Sequence, residues 1–172
     1  MSSTAGELDA EALYQDLLTR MRADWAQLPQ PAYLVGVASG GVEVARRLAR
    51  DLGASAAAGV ISSAMHRDDF AQRGLAGAAM QNDLPFDVEG AHVVLVDDVL
   101  HTGRTVRAVI NELFDYGRPA SVMLAVLVDR GQRQLPVCAN WSACSVELPA
   151  DQSLQLKRDE AEELQFVMEA AR

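Results

Sequence analysis

Two adjacent carboxylates, Asp97 and Asp98, follow the aliphatic run Val93-Val94-Leu95-Val96 and precede Val99-Leu100-His101-Thr102-Gly103-Arg104-Thr105. Neighbouring acids of this kind accept hydrogen bonds from sugar hydroxyls or hold Mg²⁺, largely through water. The T-G-x-T segment after them opens a run with helical spacing, Val106, Val109, Ile110, Leu113 and Phe114. A helix start presents unpaired N–H groups and a partial positive charge. Gly103 lets the backbone approach a ligand closely, and Thr102 and Thr105 add hydroxyls, so this end of the segment suits a phosphate. Carboxylates set directly on a phosphate would repel it. The segment therefore calls for a ligand with vicinal hydroxyls at one end and a phosphate a short way off, and ribose 5-phosphate has that form. Neither the G-x-x-x-x-G-K-[ST] phosphate loop nor the G-x-G-x-x-G dinucleotide fingerprint is present.

The elements that must position this segment are read from periodicity. Leu8, Ala12, Leu13, Leu17, Leu18, Met21 and Trp25 predict an amphipathic helix over residues 7–27, broken by Pro29 and Pro31. Tyr33–Val37 reads as a buried strand, Ala38-Ser39-Gly40-Gly41 as a turn of small residues, and Val42, Ala45, Leu48, Ala49 and Leu52 as a second helix stopped by Gly53. Residues 54–61 form a weaker strand. Residues 62–90 are irregular, a length that suits a functional or mobile segment. Val93–Val96 and Val122–Val128 are fully apolar strands, Val146–Leu148 and Ser153–Leu156 short ones, and residues 159–171 read as a short acidic terminal helix. Strands alternating with helices predict an α/β fold with a mainly parallel central sheet, whose ligands bind outside the carboxyl ends of the strands.

The bulk properties set bounds. A length of 172 residues suits one domain over 1–172, with an N-terminal helical part (1–28) and a C-terminal segment (141–172). With 49% hydrophobic but only 5% aromatic residues, the core should be aliphatic. No apolar run approaches the roughly 20 residues of a membrane span, and MSSTAGELDAEAL lacks the basic and apolar regions of a secretory signal, so a cytoplasmic protein without membrane partners is expected. Cys138 and Cys144 should then be free thiols, and His66, His92 and His101 are too isolated for a zinc site. The net charge of −9 weighs against nucleic-acid binding, which needs cations to displace counterions.

LVDDVLHTGRTVRAVINELFDYGRP and the later AVLVDRGQRQLP closely resemble the PyrR family of type I phosphoribosyltransferases, pyrimidine operon regulators that also act as uracil phosphoribosyltransferases. HRDDF at 66–70 and DLPFDVEG at 83–90 match the same family in the same order. The resemblance implies the type I fold, a parallel sheet with helices on both faces and a flexible lid loop. It also implies Mg²⁺-dependent transfer of phosphoribose from phosphoribosyl pyrophosphate to uracil, giving UMP and pyrophosphate. By the same resemblance Asp97 and Asp98 would contact the ribose hydroxyls and Mg²⁺, and His101, Thr102, Gly103, Arg104 and Thr105 would hold the 5-phosphate. Ala38, Ser39, Gly40 and Gly41 would bind pyrophosphate. Arg67, with Asp68 on the lid, would offset charge building on the leaving group, and Val128, Asp129 and Arg130 would border the base. Leader RNA and a second copy of the chain, as a homodimer or larger assembly, are the implied macromolecular partners.

Three departures from the family pattern bear on these expectations. The 38–41 loop has no basic residue, although its backbone N–H groups can still bind an anion. His101 stands where purine-specific relatives have aspartate and the PyrR family tyrosine, which disfavours hypoxanthine and guanine. Gln132 and Cys138 replace a customary His and Arg, and a lost guanidinium weakens RNA binding. Arg46, Arg47, Arg50 and Arg133 remain as basic residues for an RNA face, although a solvated helix face explains the first three better. Two alternatives follow: a UMP-sensing, RNA-binding attenuator with weak catalysis, or a phosphoribosyltransferase for another base.

Overall fold

The computed structural model describes residues 8–62 and 81–170. Asp9 caps helix α1 (Ala10–Trp25), its carboxylate accepting the Ala12 N–H at 3.0 Å. The α1 face formed by Ala10, Tyr14, Leu17, Leu18 and Met21 is buried in the chain's own core. Strand β1 (Ala32–Val37), helix α2 (Gly40–Asp51) and strand β2 (Gly59–Ile61) follow. Beyond the irregular stretch come β3 (His92–Leu100), α3 (Arg104–Asp115), β4 (Ser121–Asp129), β5 (Trp141–Ser145), β6 (Gln152–Arg158) and β7 (Leu164–Ala170).

β2, β1, β3, β4 and β5 lie in that order in one sheet, every neighbouring pair parallel. Their aliphatic runs follow from burial on both faces: Val93, Val94, Leu95 and Val96 are all fully buried. Leu34, Val94, Val96, Ala125 and Leu127 pack with α1 and α2. Val35, Val37, Val93, Leu95 and Val126 pack on the opposite side with Val106, Val109 and Leu113 of α3. The expected parallel sheet with helices on both faces is the observed one. The carboxyl ends of β1, β3 and β4 share one edge of the sheet, where the 38–41, 101–105 and 130–133 segments emerge.

Several local expectations are corrected. The strand read over 54–61 is confined to Gly59–Ile61. The strand placed at Val146–Leu148 lies earlier, at Trp141–Ser145. Val146 still donates its N–H to Asp129 O at 2.9 Å, and its side chain and that of Leu148 are buried, but the chain leaves the sheet there. The helix expected over 159–171 is not found among the described residues of that span, 159–170: β6 and β7 form an antiparallel hairpin, with Leu154 opposite Met168 and Leu156 opposite Phe166. Leu164, Phe166 and Met168 alternate along β7 and pack on the core, so a period of two prevails over the helix-favouring Glu and Ala content. Asp159 nucleates the turn by accepting the N–H groups of Ala161 (2.8 Å) and Glu163 (3.0 Å).

The hairpin is tied to α1 and α2. Arg47 pairs with Glu11 at 2.7 Å and with Glu43 at 3.4 Å, and its Nη2 donates to Glu162 O at 2.8 Å. Glu11 also accepts the Leu164 N–H at 2.8 Å. Arg47 thus serves internal packing rather than an open basic face, and Arg50 pairs with its neighbour Asp51.

Asp51 also accepts the Tyr14 hydroxyl at 2.6 Å. Burial and that bond push the Tyr14 pKa above its ordinary 10.0, while Arg50 and Tyr14 hold Asp51 below its ordinary 3.8. The linkage signs are opposite. The Asp51 contribution is present above its ordinary value and is lost as pH falls through the lowered one. The Tyr14 contribution is present below its ordinary value and is lost as pH rises through the raised one. Tyr14→Phe should cost about 1 kcal/mol at neutral pH, given partial screening. It should also remove the alkaline loss of stability and reduce the acid one, Arg50 retaining the rest. Urea unfolding across acid, neutral and alkaline buffers checks this, and an unchanged alkaline limb contradicts it.

Candidate active site

β3 runs past the acid pair to Leu100, so the two carboxylates sit within the strand rather than after it. Asp97 is 6% exposed, and its Oδ1 accepts the Asp98 N–H at 2.9 Å. Asp98 Oδ1 accepts the Val99 N–H at 2.9 Å and Oδ2 the Leu156 N–H of β6 at 3.1 Å. The C-terminal hairpin therefore fixes the orientation of Asp98, a partner that sequence reasoning missed because a backbone N–H carries no sequence signature.

The first turn of α2 rests against the same pair. A Cβ on Gly40 would lie 2.3 Å from Asp98 Oδ2, and one on Gly41 only 2.0 Å from Val96 O. The Ala38-Ser39-Gly40-Gly41 turn and Asp97-Asp98, separate in sequence, are in contact. The Ala38–Ser39 peptide is cis, and the Ala38 N–H donates to Ile61 O at 2.8 Å. Ser39, at the N-cap of α2, makes no side-chain cap bond, so the first-turn N–H groups beyond it suit an anion.

The 101–105 turn is carried by the segment after β4. Gly103 has φ +90 and forms the N-cap of α3, a conformation that favours glycine. Thr102 Oγ1 accepts the Arg104 N–H at 3.3 Å, and Thr102 O accepts the N–H groups of Gln134 (3.0 Å) and Leu135 (3.2 Å). Arg104 Nε donates to Gln134 Oε1 at 2.9 Å, and His101 Nε2 lies 3.1 Å from Gln132 Oε1. Arg133 ties the arrangement together. Its Nη2 pairs with Asp129 Oδ2 at 2.6 Å, its Nη1 donates to Gly131 O at 3.0 Å and to His101 O, and its Nε donates to Val137 O at 3.0 Å. Arg133, read from sequence as available for RNA, is an internal brace. The four-residue spacing from Asp129 in D-R-G-x-R is the one signal that could have shown it.

Val128, Asp129 and Arg130 end β4 beside this loop. Val128 is fully buried and in register with Val99. Asp129 Oδ1 accepts the Gly131 N–H at 2.8 Å. Arg130 is 4% exposed, and its N–H donates to Leu100 O at 2.8 Å. Burial lowers its guanidinium pKa, and its Nε has no partner among the described residues. Arg67 and Asp68, together with most of the expected lid, lie outside the described residues. Cys138 and Cys144 are free, as expected, and burial pushes the Cys144 thiol upward.

Among the described residues no three His, Cys, Asp or Glu side chains cluster as a metal site. Asp97 and Asp98, which already hold backbone N–H groups, would suit Mg²⁺ mainly through water, the ion supplying charge to a bound phosphate. Among the described residues no helix is long and apolar enough to cross a membrane.

The model of the phosphoribosyl transferase domain family matches residues 9–155. The bifunctional protein PyrR of Ralstonia nicotianae is 52% identical over 157 residues, covering 91% of this chain and 90% of that one. The chain belongs to the PyrR family of type I phosphoribosyltransferases. PyrR proteins of Pseudomonas putida (42% over 146 residues, 84% of each chain) and Nitrosococcus oceani (43% over 153 residues, 87% and 86%) are similar over nearly the same span. Among solved structures, a hypoxanthine phosphoribosyltransferase of Trypanosoma cruzi has a TM-score of 0.59 at 18% identity, covering 91% of this chain and 90% of that one. The HGPRT-ase of Leishmania tarentolae in complex with GMP has a TM-score of 0.60 at 21% identity, covering 86% and 84%. At these identities the likeness is one of fold. It accords with the parallel sheet, and the identity to PyrR proteins accords with the motifs in the sequence.

Proposed function

We propose that this chain is a Mg²⁺-dependent uracil phosphoribosyltransferase, forming UMP and pyrophosphate from uracil and phosphoribosyl pyrophosphate, and that it also regulates a pyrimidine operon. The observation that carries the enzymatic reading is the meeting of the Asp97–Asp98 pair with the first turn of α2 and the Thr102–Thr105 helix start at one sheet edge. Asp97 and Asp98 accept the ribose hydroxyls. Backbone N–H groups at 102–105 hold the 5-phosphate, and those at 39–41 hold the pyrophosphate. Val128, Asp129 and Arg130 border the base, beside His101. Pyrophosphate departs from the anomeric carbon as the base nitrogen attacks from the opposite face, and positive charge develops on the sugar. Mg²⁺, when bound, offsets charge on the departing pyrophosphate, a role Arg67 shares. The whole chain acts as one domain in the cytoplasm, as a homodimer or larger assembly that sedimentation would reveal.

UMP formation from uracil and phosphoribosyl pyrophosphate tests the reading. Asp97→Asn and Asp98→Asn should each lower kcat/KM by roughly 10²- to 10³-fold, the scale of losing one electrostatic contact to a developing charge. Thermal melts should accompany the Asp98 variant, because an amide there offers only one acceptor to the two N–H groups of Val99 and Leu156. A panel of bases separates uracil from other acceptors. No turnover with any pyrimidine or purine base overturns the enzymatic reading. UMP-stimulated, salt-sensitive binding to a pyrimidine-operon leader RNA tests the regulatory one.

A further inference from the structure

The turn that should bind pyrophosphate carries no cation. A Cβ on Gly40 would meet the Asp98 carboxylate at 2.3 to 2.9 Å, so a longer side chain there would displace Asp98 from its bond to the Leu156 N–H. Positive charge must come from outside the turn if it comes from the described residues at all. A cavity of about 250 Å³ opens beside Ser39 and Gly40, between α2 and β6, and Glu43, Arg46, Lys157 and Arg158 line it. Leu156, on the same wall, is the residue whose N–H binds Asp98. The cavity therefore adjoins the acid pair.

The charges around this cavity are not those of the protein as a whole. Three cations face one carboxylate in a chain of net charge −9. The carboxylate, Glu43, is itself engaged by Arg47 at 3.4 Å and Arg158 at 3.8 Å. Lys157 pairs with Glu169 at 2.6 Å and Arg158 with Glu162 at 3.3 Å. Arg46 differs from both: it is exposed and has no hydrogen-bond or ion-pair partner among the described residues. On α2 it lies three and four residues beyond Glu43 and Val42, on the face that also carries Ser39. Arg46 thus lines the same cavity as Ser39 and Gly40 of the α2 start.

We propose that Arg46, with Arg158 across the cavity, forms the cationic wall of the pyrophosphate site and supplies the charge that the 38–41 turn lacks. The ligand is the diphosphate group, free or as part of phosphoribosyl pyrophosphate. Backbone N–H groups hold it from one side, and a fork of guanidinium donors holds it from the other. This proposal rests on the phosphoribosyl-transfer reading. It assigns to particular side chains a subsite that the reading leaves to the backbone alone.

The experiment is steady-state kinetics in both directions, uracil with phosphoribosyl pyrophosphate and UMP with pyrophosphate, alongside direct UMP binding. The proteins are the unaltered chain, Arg46→Gln, Arg46→Lys, Arg158→Gln, and Arg118→Gln as a distant surface control. Arg46→Gln should raise KM for both pyrophosphate and phosphoribosyl pyrophosphate by roughly 10- to 100-fold, the scale of a lost charge-assisted bond, and leave UMP affinity unchanged. Arg46→Lys should recover part of that loss, Arg158→Gln should show a smaller rise of the same kind, and Arg118→Gln should show none. Unchanged KM values in Arg46→Gln overturn the proposal and leave phosphoribosyl transfer standing. So does an equal weakening of UMP binding, which marks general damage to the site. No turnover by the unaltered chain overturns the underlying reading itself.

Discussion

Gly41→Ala is expected to produce a protein that folds poorly and has no measurable phosphoribosyl transfer. The added Cβ would lie 2.0 Å from Val96 O and 2.9 Å from Asp97 Cα. Both are backbone atoms of β3, which is bonded to β1 on one side and β4 on the other and so cannot yield. α2 must retreat instead, losing its packing on the sheet and drawing Ser39 and Gly40 away from the acids. The cost should reach about 3 kcal/mol, the upper part of the overpacking range. Gly40→Ala makes an informative companion. The three atoms nearest its Cβ all belong to the Asp98 side chain, which can rotate away at the loss of its bond to the Leu156 N–H. That variant should stay folded and lose activity. Melting temperature and kcat/KM measured on both variants check the pair of outcomes, and a fully active Gly41→Ala contradicts the packing argument.

Arg133→Ala should cost about 3 kcal/mol of stability and raise KM for phosphoribosyl pyrophosphate more than it lowers kcat. The guanidinium serves Asp129 and the carbonyls of His101, Gly131 and Val137 together. Removing it leaves those acceptors short of a donor in a partly closed setting, the two side chains being only 22% and 23% exposed. The His101–Thr105 turn then loses one of its supports, while the acid pair keeps its own bonds. Arg133→Lys should rescue little, because one ammonium cannot reach acceptors that a planar fork spans. Urea unfolding and substrate-dependence curves check this, and a lysine variant equal to the unaltered protein contradicts it.

The parts of the site that could be read from the sequence are those whose causes are local. An aliphatic run, two acids and a T-G-x-T helix start are contiguous, and β3, the 101–105 turn and α3 follow from them. The 38–41 turn was visible as a turn of small residues. Its contact with Asp97 and Asp98 depends on the register of β1 against β3, Gly36 opposite Val96, which no local pattern encodes. Composition misled at residues 159–171, where Glu and Ala suggested a helix but Leu164, Phe166 and Met168 needed a flat apolar face. Arg47 and Arg133 read as surface charge because their partners are a glutamate 36 positions away and main-chain carbonyls. The expectations that Val128, Asp129 and Arg130 border the base and that Arg67 sits on a lid came from the PyrR motifs, not from periodicity.

The bond from the Leu156 N–H to Asp98 joins residues 58 positions apart, and that from the Leu164 N–H to Glu11 joins residues 153 apart. A ribosome makes the acids long before it makes their last supports. The growing chain can assemble β1, β2, β3 and β4 as they emerge, but Asp98 gains its second N–H only after residue 156 has cleared the exit tunnel. The orientation of Asp98 is thereby completed only after β6 has been made. A transcript cut short before residue 156 would yield polypeptide that can build most of the sheet yet leaves Asp98 without its bond to the Leu156 N–H.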